Sequence, residues 1–278
     1  DAQRVVNAYL KADQSPPPDA DMLVADIYAG LGQCRSALPY AKRALDNDSS
    51  APESWYQLWI ACAYSTKEYS SAVDGLYAAL ERWPNKADYW RQLGQTYAQD
   101  GDDEKALGVF ALMYSQGLAQ NEQDYLNLVS LYMQNNEPYE AAGVLQKGLD
   151  AGIVTVNEDN YDLLAATWLD AKEYDKAITS LGQAAKHAKT GDAYLKQAQL
   201  YQQSHEWFSV VSATQRALQK GSLQRPGRAW LLQGVAQAEN KQYPEAASAL
   251  KEASKFEDVR AQAETWLQFV NARTGQSF

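Results

Sequence analysis

Along this 278-residue sequence a small side chain returns at Ala37, Ala72, Ala106, Ala141, Ala177, Val210 and Ala246, at intervals of 35, 34, 35, 36, 33 and 36. So even a spacing constrains the fold more than any other feature. It calls for a row of similar units, each too small to hide its apolar face alone and each burying that face against the next. Other positions keep step. An aromatic recurs as Trp55, Trp90, Tyr125, Tyr161, Tyr194 and Trp230, and a second series reads Tyr28, Cys62, Tyr97, Tyr132, Trp168 and Tyr201. A further small residue appears as Ala44, Ala79, Ala184, Ala217 and Ala253, with Gly148 in the fourth unit.

These residue types suit pairs of antiparallel helices. Small side chains belong where helices approach to roughly 8–10 Å, and aromatics fill the space opposite them. Ala, Leu, Gln, Glu and Lys favour helix throughout, while strand-forming runs of Val, Ile and Thr are scarce. Turn signals fall between the helical stretches at Pro52, Pro84-Asn85, Gly101-Asp102, Gly117, Gly152, Gly191 and Pro226-Gly227. In the third unit Trp90, Leu93, Gly94, Tyr97, Ala106 and Phe110 fit W-x2-L-G-x2-Y followed by A-x3-F, the signature of tetratricopeptide repeats, which the chain therefore resembles.

The expected fold is all-α: a right-handed superhelical solenoid of about seven helical hairpins over residues 19–257. Residues 258–278 are expected to form a capping helix and tail, with Val259, Ala263, Trp266, Leu267 and Val270 covering the end of the stack. Residues 1–18 read as a helix carrying Val5, Val6, Tyr9 and Leu10 before the breaker Pro16-Pro17-Pro18. That helix is either a cap or the second half of a partial unit. The opening Asp1-Ala2-Gln3-Arg4 has no initiating Met and no apolar signal core, and reads as a processed or trimmed start.

Charge narrows the partners. A net charge of −10 works against nucleic acid, whose phosphates need clustered Lys and Arg, and against docking on anionic lipid. No stretch approaches the ~18 consecutive apolar residues of a membrane span, so direct membrane insertion is not expected. Chemistry is equally sparse. His187 and His205 lie in different units with no Cys, His or carboxylate at ligand spacing, so no metal or cofactor is expected. The acidic runs Asp46-Asn47-Asp48 and Asp100-Gly101-Asp102-Asp103 lack the spacing of a calcium loop and suit turns and helix caps. No nucleophile, phosphate-loop or zinc-protease pattern occurs, and no catalytic residue is expected.

Two cysteines remain. Cys34 opens the second helix of the first unit and Cys62 lies late in the first helix of the second. Consecutive antiparallel helices would bring these ends within the ~4.4–6.8 Å between Cα atoms that a disulfide needs. The alternative is a pair of reduced, buried cysteines acting as small apolar fillers.

Protein binding is the expected function, on the concave face formed by the first helices. Taking the side opposite the signature aromatics at the 3.6-residue period gives Asp26, Tyr56, Ile60, Arg91, Gln95, Gln99, Leu126, Ser130, Met133, Asp162, Asp170, Leu195, Gln199 and Gln203. Apolar anchors with amides suit an extended peptide or a helix laid along the groove, and the Asp pair would favour Lys or Arg on it. A repeated Lys/Asn clamp for a terminal carboxylate is missing. Self-association stays open.

From Trp83 onward the wording goes beyond the generic repeat. Lys86-Ala-Asp-Tyr-Trp-Arg-Gln-Leu93, Ala111-Leu-Met-Tyr-Ser-Gln-Gly117, Tyr125-Leu-Asn-Leu128 and the run from Pro138 to Leu149 follow in order. Asn160-Tyr-Asp-Leu-Leu-Ala165, Ala171-Lys-Glu-Tyr-Asp-Lys-Ala177 and Leu223-Gln-Arg-Pro-Gly-Arg-Ala-Trp230 complete it. Over about two-thirds of its length the chain resembles the periplasmic tetratricopeptide proteins encoded beside TonB, ExbB and ExbD in proteobacteria. It departs at Trp59, where a small residue is usual, and in a first unit poor in aromatics. The resemblance implies a periplasmic accessory of energy-coupled uptake across the outer membrane, with TonB or a co-encoded envelope protein as partner, and it favours a disulfide. Other readings of the same fold are a general envelope assembly or secretion adaptor, and the repeat domain of a larger enzyme.

Overall fold

The computed structural model describes residues 16–274, together with Arg4 and Val6. Most of the helix expected over residues 1–18 therefore lies outside the described residues. Among those described there are fifteen α-helices and no strand. The chain divides into two compact units, Asp1–Asn135 and Asn136–Phe278.

The first unit holds α1 (Pro18–Gly30), α2 (Cys34–Asn47), α3 (Glu53–Ser65), α4 (Tyr69–Arg82), α5 (Ala87–Asp100), α6 (Asp103–Ser115) and α7 (Glu122–Gln134). Each helix packs on its successor, and α1 also reaches α3. The second unit holds α8 (Pro138–Asp150), α9 (Glu158–Asp170), α10 (Tyr174–His187), α11 (Asp192–Gln203), α12 (Trp207–Lys220), α13 (Pro226–Glu239), α14 (Tyr243–Ala253) and α15 (Arg260–Thr274). Here too each helix packs on the next, with additional contacts from α11 to α13 and from α13 to α15. The result in each unit is a helical-hairpin solenoid.

The small anchors are where packing is closest. Ala37, Ala72, Ala106, Ala141, Ala177, Val210 and Ala246 are all fully buried. Shape complementarity is reciprocal between neighbouring hairpins. In α5 and α6, Gly94 faces the Phe110 ring, whereas in α3 and α4 the bulk lies on the other side, with Trp59 against Gly75. The Trp59 indole N–H donates to Ser71 Oγ at 2.9 Å, so its polar edge is satisfied inside the hairpin. In α15, Ala263 and Val270 are buried, and Trp266 and Leu267 pack with Val270 and Leu250 of α14.

The turn inside each hairpin of the two units repeats one backbone device. Gly32, Lys67, Gly101, Lys172, His205 and Lys241 all have positive φ. In all six turns the next residue donates its N–H to the carbonyl five positions back, as in Gln33 to Tyr28, Glu68 to Ala63, Asp102 to Tyr97, Glu173 to Trp168, Glu206 to Tyr201 and Gln242 to Gln237. This closure recovers carbonyls that the end of the first helix would otherwise leave unpaired. Glycine suits the position best, yet only the first and third turns have it. Helix starts are secured by Asp102, Asn121 and Asn157, whose side chains accept from Lys105, Asp124 and Asn160 N–H, and by Pro at the first helical position in α1, α8 and α13.

Cys34 and Cys62 are joined as a disulfide, with Cα atoms 4.8 Å apart. The bond ties the start of α2 to the end of α3 and so couples two successive hairpins covalently.

Candidate functional site

In the first unit a groove of about 600 Å³ opens between α3 and α5. Its walls are Gln57, Ile60, Ala61 and Tyr64 of α3, and Asp88, Tyr89, Gln92, Gln95 and Thr96 of α5, with Lys86 just ahead of that helix. The charges at its rim are already engaged in ion pairs. Glu53 accepts from Lys86, from the Tyr89 hydroxyl at 2.6 Å and from Gln57 at 3.2 Å. The Lys86 and Tyr89 bonds hold the Glu53 carboxyl below its ordinary range. Burial and then the bond to Glu53 push the Tyr89 hydroxyl up, so it stays a neutral donor. Arg91 is held by Asp88 and by the buried Asp124, at 2.6 Å from its Nε. Among the described residues the Tyr64 hydroxyl and the side-chain amides of Gln92 and Gln95 have no hydrogen-bond partner and are left to meet a ligand, while the Tyr64 ring rests edge-on against Tyr69. A groove of this make-up reads hydrogen-bonding backbone and apolar surface rather than charge.

In the second unit two adjoining cavities share Gln199 and Arg228. One, of about 420 Å³, is lined by Glu158 and Asp162 of α9, Asp192, Leu195 and Lys196 of α11, and Gln224, Arg225 and Arg228 at the entry to α13. The other, of about 450 Å³, is lined by Gln202 of α11, Leu231, Leu232 and Val235 of α13, and Gln262 and Trp266 of α15.

The face expected from the sequence is partly displaced. Tyr56, Ile60 and Leu195 are only 7%, 4% and 7% exposed, so they belong mainly to the core; Ile60 and Leu195 each show a cavity no more than an edge. Arg91 and Asp162 are half-buried and engaged in ion pairs. Gln95 and Gln199 line grooves, as expected. Gln99, Asp170 and Gln203 are exposed and Leu126 and Met133 half-buried, but none of these five lines a cavity described above. Asp26, also on the expected face, borders a shallower cleft with Leu23, Trp55 and Leu58. The reason is angular. Each first helix is covered on several sides, so only a narrow arc stays open, and one residue turns a side chain by about 100°. On α3 the open arc runs through Gln57, Ala61 and Tyr64, one position beyond Tyr56 and Ile60. Trp266 and Gln262 were missed for another reason: they belong to the last helix, which the sequence presents only as a cover.

The sequence matches a tetratricopeptide-repeat family model at residues 63–122 and 195–258. Both stretches are similar to tetratricopeptide repeats. Repeats of this kind are typically non-enzymatic protein-binding scaffolds. No curated protein sequence matches the chain. Among solved structures, the Naa15/Naa10 complex bound to HypK-THB aligns with 91% of this chain and 38% of its own at 14% identity, with a TM-score of 0.62. At that identity the likeness is one of fold. A tetratricopeptide repeat protein from Parabacteroides merdae aligns at 15% identity over 91% of this chain and 98% of its own, with a TM-score of 0.44. YrrB, described as a tetratricopeptide protein with an unusual peptide-binding site, aligns at 17% identity over 70% and 98%, with a TM-score of 0.45.

Within the tetratricopeptide pattern the last repeat is unusual. Where the third has Leu93 and Tyr97, it has Gln233 and Gln237, both buried, with side-chain carbonyl oxygens that accept no hydrogen bond among the described residues. The two histidines have local roles. His187 stacks on Tyr161, with ring centroids 5.9 Å apart, and His205 meets Trp207 edge-on at 5.3 Å. The acidic runs act in turns: Asp48 accepts from the N–H and hydroxyl of Ser50, and Asp102 caps α6.

Proposed function

We propose that this chain is a non-catalytic scaffold that holds a protein segment against its first-helix grooves, resident in the periplasm as an accessory of TonB-dependent uptake across the outer membrane. The observation that carries the binding role is the groove between α3 and α5, whose ion pairs are internally satisfied while Tyr64, Gln92 and Gln95 are left to a ligand. An extended strand or a helix fits such a surface through backbone hydrogen bonds and apolar contacts. The Cys34–Cys62 disulfide supports an oxidising compartment, because thiols in the reducing cytosol stay unpaired. The TonB system enters through the resemblance of the sequence from Trp83 onward to the repeat proteins encoded beside TonB, ExbB and ExbD.

The test is association of the whole chain with the periplasmic part of TonB and with each co-encoded envelope protein, read by isothermal titration calorimetry and by photo-crosslinking from position 92 or 95. Micromolar binding that is weakened by Gln92→Arg is expected. Absence of binding to every one of them at 50–100 times that range (~100 μM) would sink the TonB assignment. Fractionation that leaves the natural protein in the cytoplasm would sink the compartment.

A further inference from the structure

The second unit places Arg225 and Arg228, both exposed, at the mouth of its charged cavity, and Arg228 also lines the apolar cavity beside it. We infer that this groove selects protein segments in which Asp or Glu side chains stand beside large apolar ones. The inference rests on the scaffold reading above and reverses the ligand charge that the sequence suggests for this half of the chain.

The reversal follows from which charges are already engaged. Asp162, which was expected to attract Lys or Arg, is taken by Lys196 at 2.5 Å, and its other oxygen is buried. Asp192 accepts from the Gln224 backbone N–H at 3.1 Å and the Thr190 hydroxyl at 3.0 Å. Neither guanidinium forms an ion pair among the described residues, and of the cavity's carboxylates Glu158 and Asp192 likewise form none, although both Asp192 oxygens are occupied by neutral donors. The charges of this cavity therefore balance, and the unmatched positive charge lies on its apolar side. The adjoining cavity adds Arg228 and no carboxylate, in a chain whose net charge is −10.

Geometry sets the spacing of the ligand. Arg228, Leu231 and Val235 follow one another along α13, so the apolar wall begins about 5 Å and continues to about 10 Å from the arginine along the helix axis. Trp266 faces the same cavity from α15. A carboxylate held in the fork of Arg228 therefore sets an apolar side chain one to three residues away, in an extended segment, against Leu231, Val235 and Trp266. Gln199, Gln202 and Gln262 are the amides that would meet its backbone. Arginine suits this task better than lysine because its planar fork engages both carboxylate oxygens.

The experiment is selection of a phage-displayed library of random twelve-residue peptides on the whole chain, with each peptide joined to the coat protein at its C-terminus so that only side chains supply carboxylates. The expected result is enrichment of Asp or Glu within three residues of Leu, Ile, Phe or Trp. Synthetic copies should bind about tenfold more weakly to Arg228→Glu, and more weakly at high salt. Replacing the peptide's acid by its amide should cost wild type about tenfold while costing Arg228→Glu much less. Arg228→Gln, read beside circular dichroism, guards against a folding defect and should give an intermediate loss. Enrichment of basic peptides, or binding indifferent to Arg228, overturns this inference and leaves the scaffold reading standing. If no peptide is enriched on wild type, both fall.

Discussion

Replacing Gly94 by alanine tests whether hairpin packing or helix propensity governs stability in this chain. A methyl group at Gly94 would lie 2.4, 2.7 and 3.1 Å from three atoms of the Phe110 ring. Carbon atoms rest at about 3.5–4.0 Å, so the ring must retreat by about 1 Å. Phe110 is buried, only 4% exposed, so its retreat disturbs the packing around it. Overpacking of this kind costs about 1–3 kcal/mol, and the confined ring puts it toward the upper end. Against this, alanine gains about 1 kcal/mol over glycine in a helix interior. Gly94→Ala should therefore destabilise by roughly 1–2 kcal/mol. Gly108, on α6, is the control: nothing lies within 4 Å of its added methyl, so Gly108→Ala should stabilise by about 1 kcal/mol. Repeat arrays need not unfold all at once, so the measurement is native-state amide exchange across α5 and α6 in the whole chain. Opposite signs are expected, with Phe110→Leu partly rescuing Gly94→Ala. Two substitutions of the same sign and size would refute the packing argument.

Three further outcomes follow from the backbone, the disulfide and the rim charges. Lys172 sits at φ 61°, a conformation that costs a side-chain-bearing residue about 1–2 kcal/mol. Allowing for the entropy of glycine, Lys172→Gly should raise stability by about 0.5–1 kcal/mol, while Lys172→Val should lower it, as read from urea midpoints. Reducing the Cys34–Cys62 bond opens a loop with a sequence separation of 28, which on chain entropy is worth roughly 3–4 kcal/mol. Dithiothreitol should therefore lower the melting temperature of wild type and leave a Cys34→Ala/Cys62→Ala protein unmoved. Glu53, held low by Lys86 and Tyr89, contributes stability that is present above its unfolded value of 4.5 and is lost as pH falls through the lower folded value. Carboxylate titration by NMR should show Glu53 moving up in Lys86→Gln; an unmoved titration would contradict the assigned bond.

The fold could be read from the sequence because its signal is carried by buried small residues, and burial is what periodic patterns report. Ala106 and Ala177 needed only their spacing to be placed against a partner helix. The grooves were less legible. Choosing Tyr56 and Ile60 over Gln57 and Ala61 is a rotation of one residue, and no pattern inside α3 reveals which sides its neighbours cover. Ligand charge was less legible still. Asp162 meets Lys196 only because residues 34 positions apart lie side by side on successive first helices. Arg225 and Arg228 come from the connection and first turn leading into the last hairpin, where the wording reads as a turn signal. The buried pair Gln233 and Gln237 breaks the apolar rule of its own repeat, and their oxygens have no partner among the described residues.

The covalent link between Cys34 and Cys62 also decides how the first unit would respond to traction. A tether pulling on the chain ahead of α2 transmits its load across the sulfur atoms and into the end of α3, bypassing α2 beyond its first residue and most of α3. About 95 Å of contour, from 28 residues at about 3.4 Å each, stays out of reach until the bond is cut. In an optical trap the oxidised and reduced forms should differ by that extension. Oxidised, the first two hairpins would lengthen less and yield together.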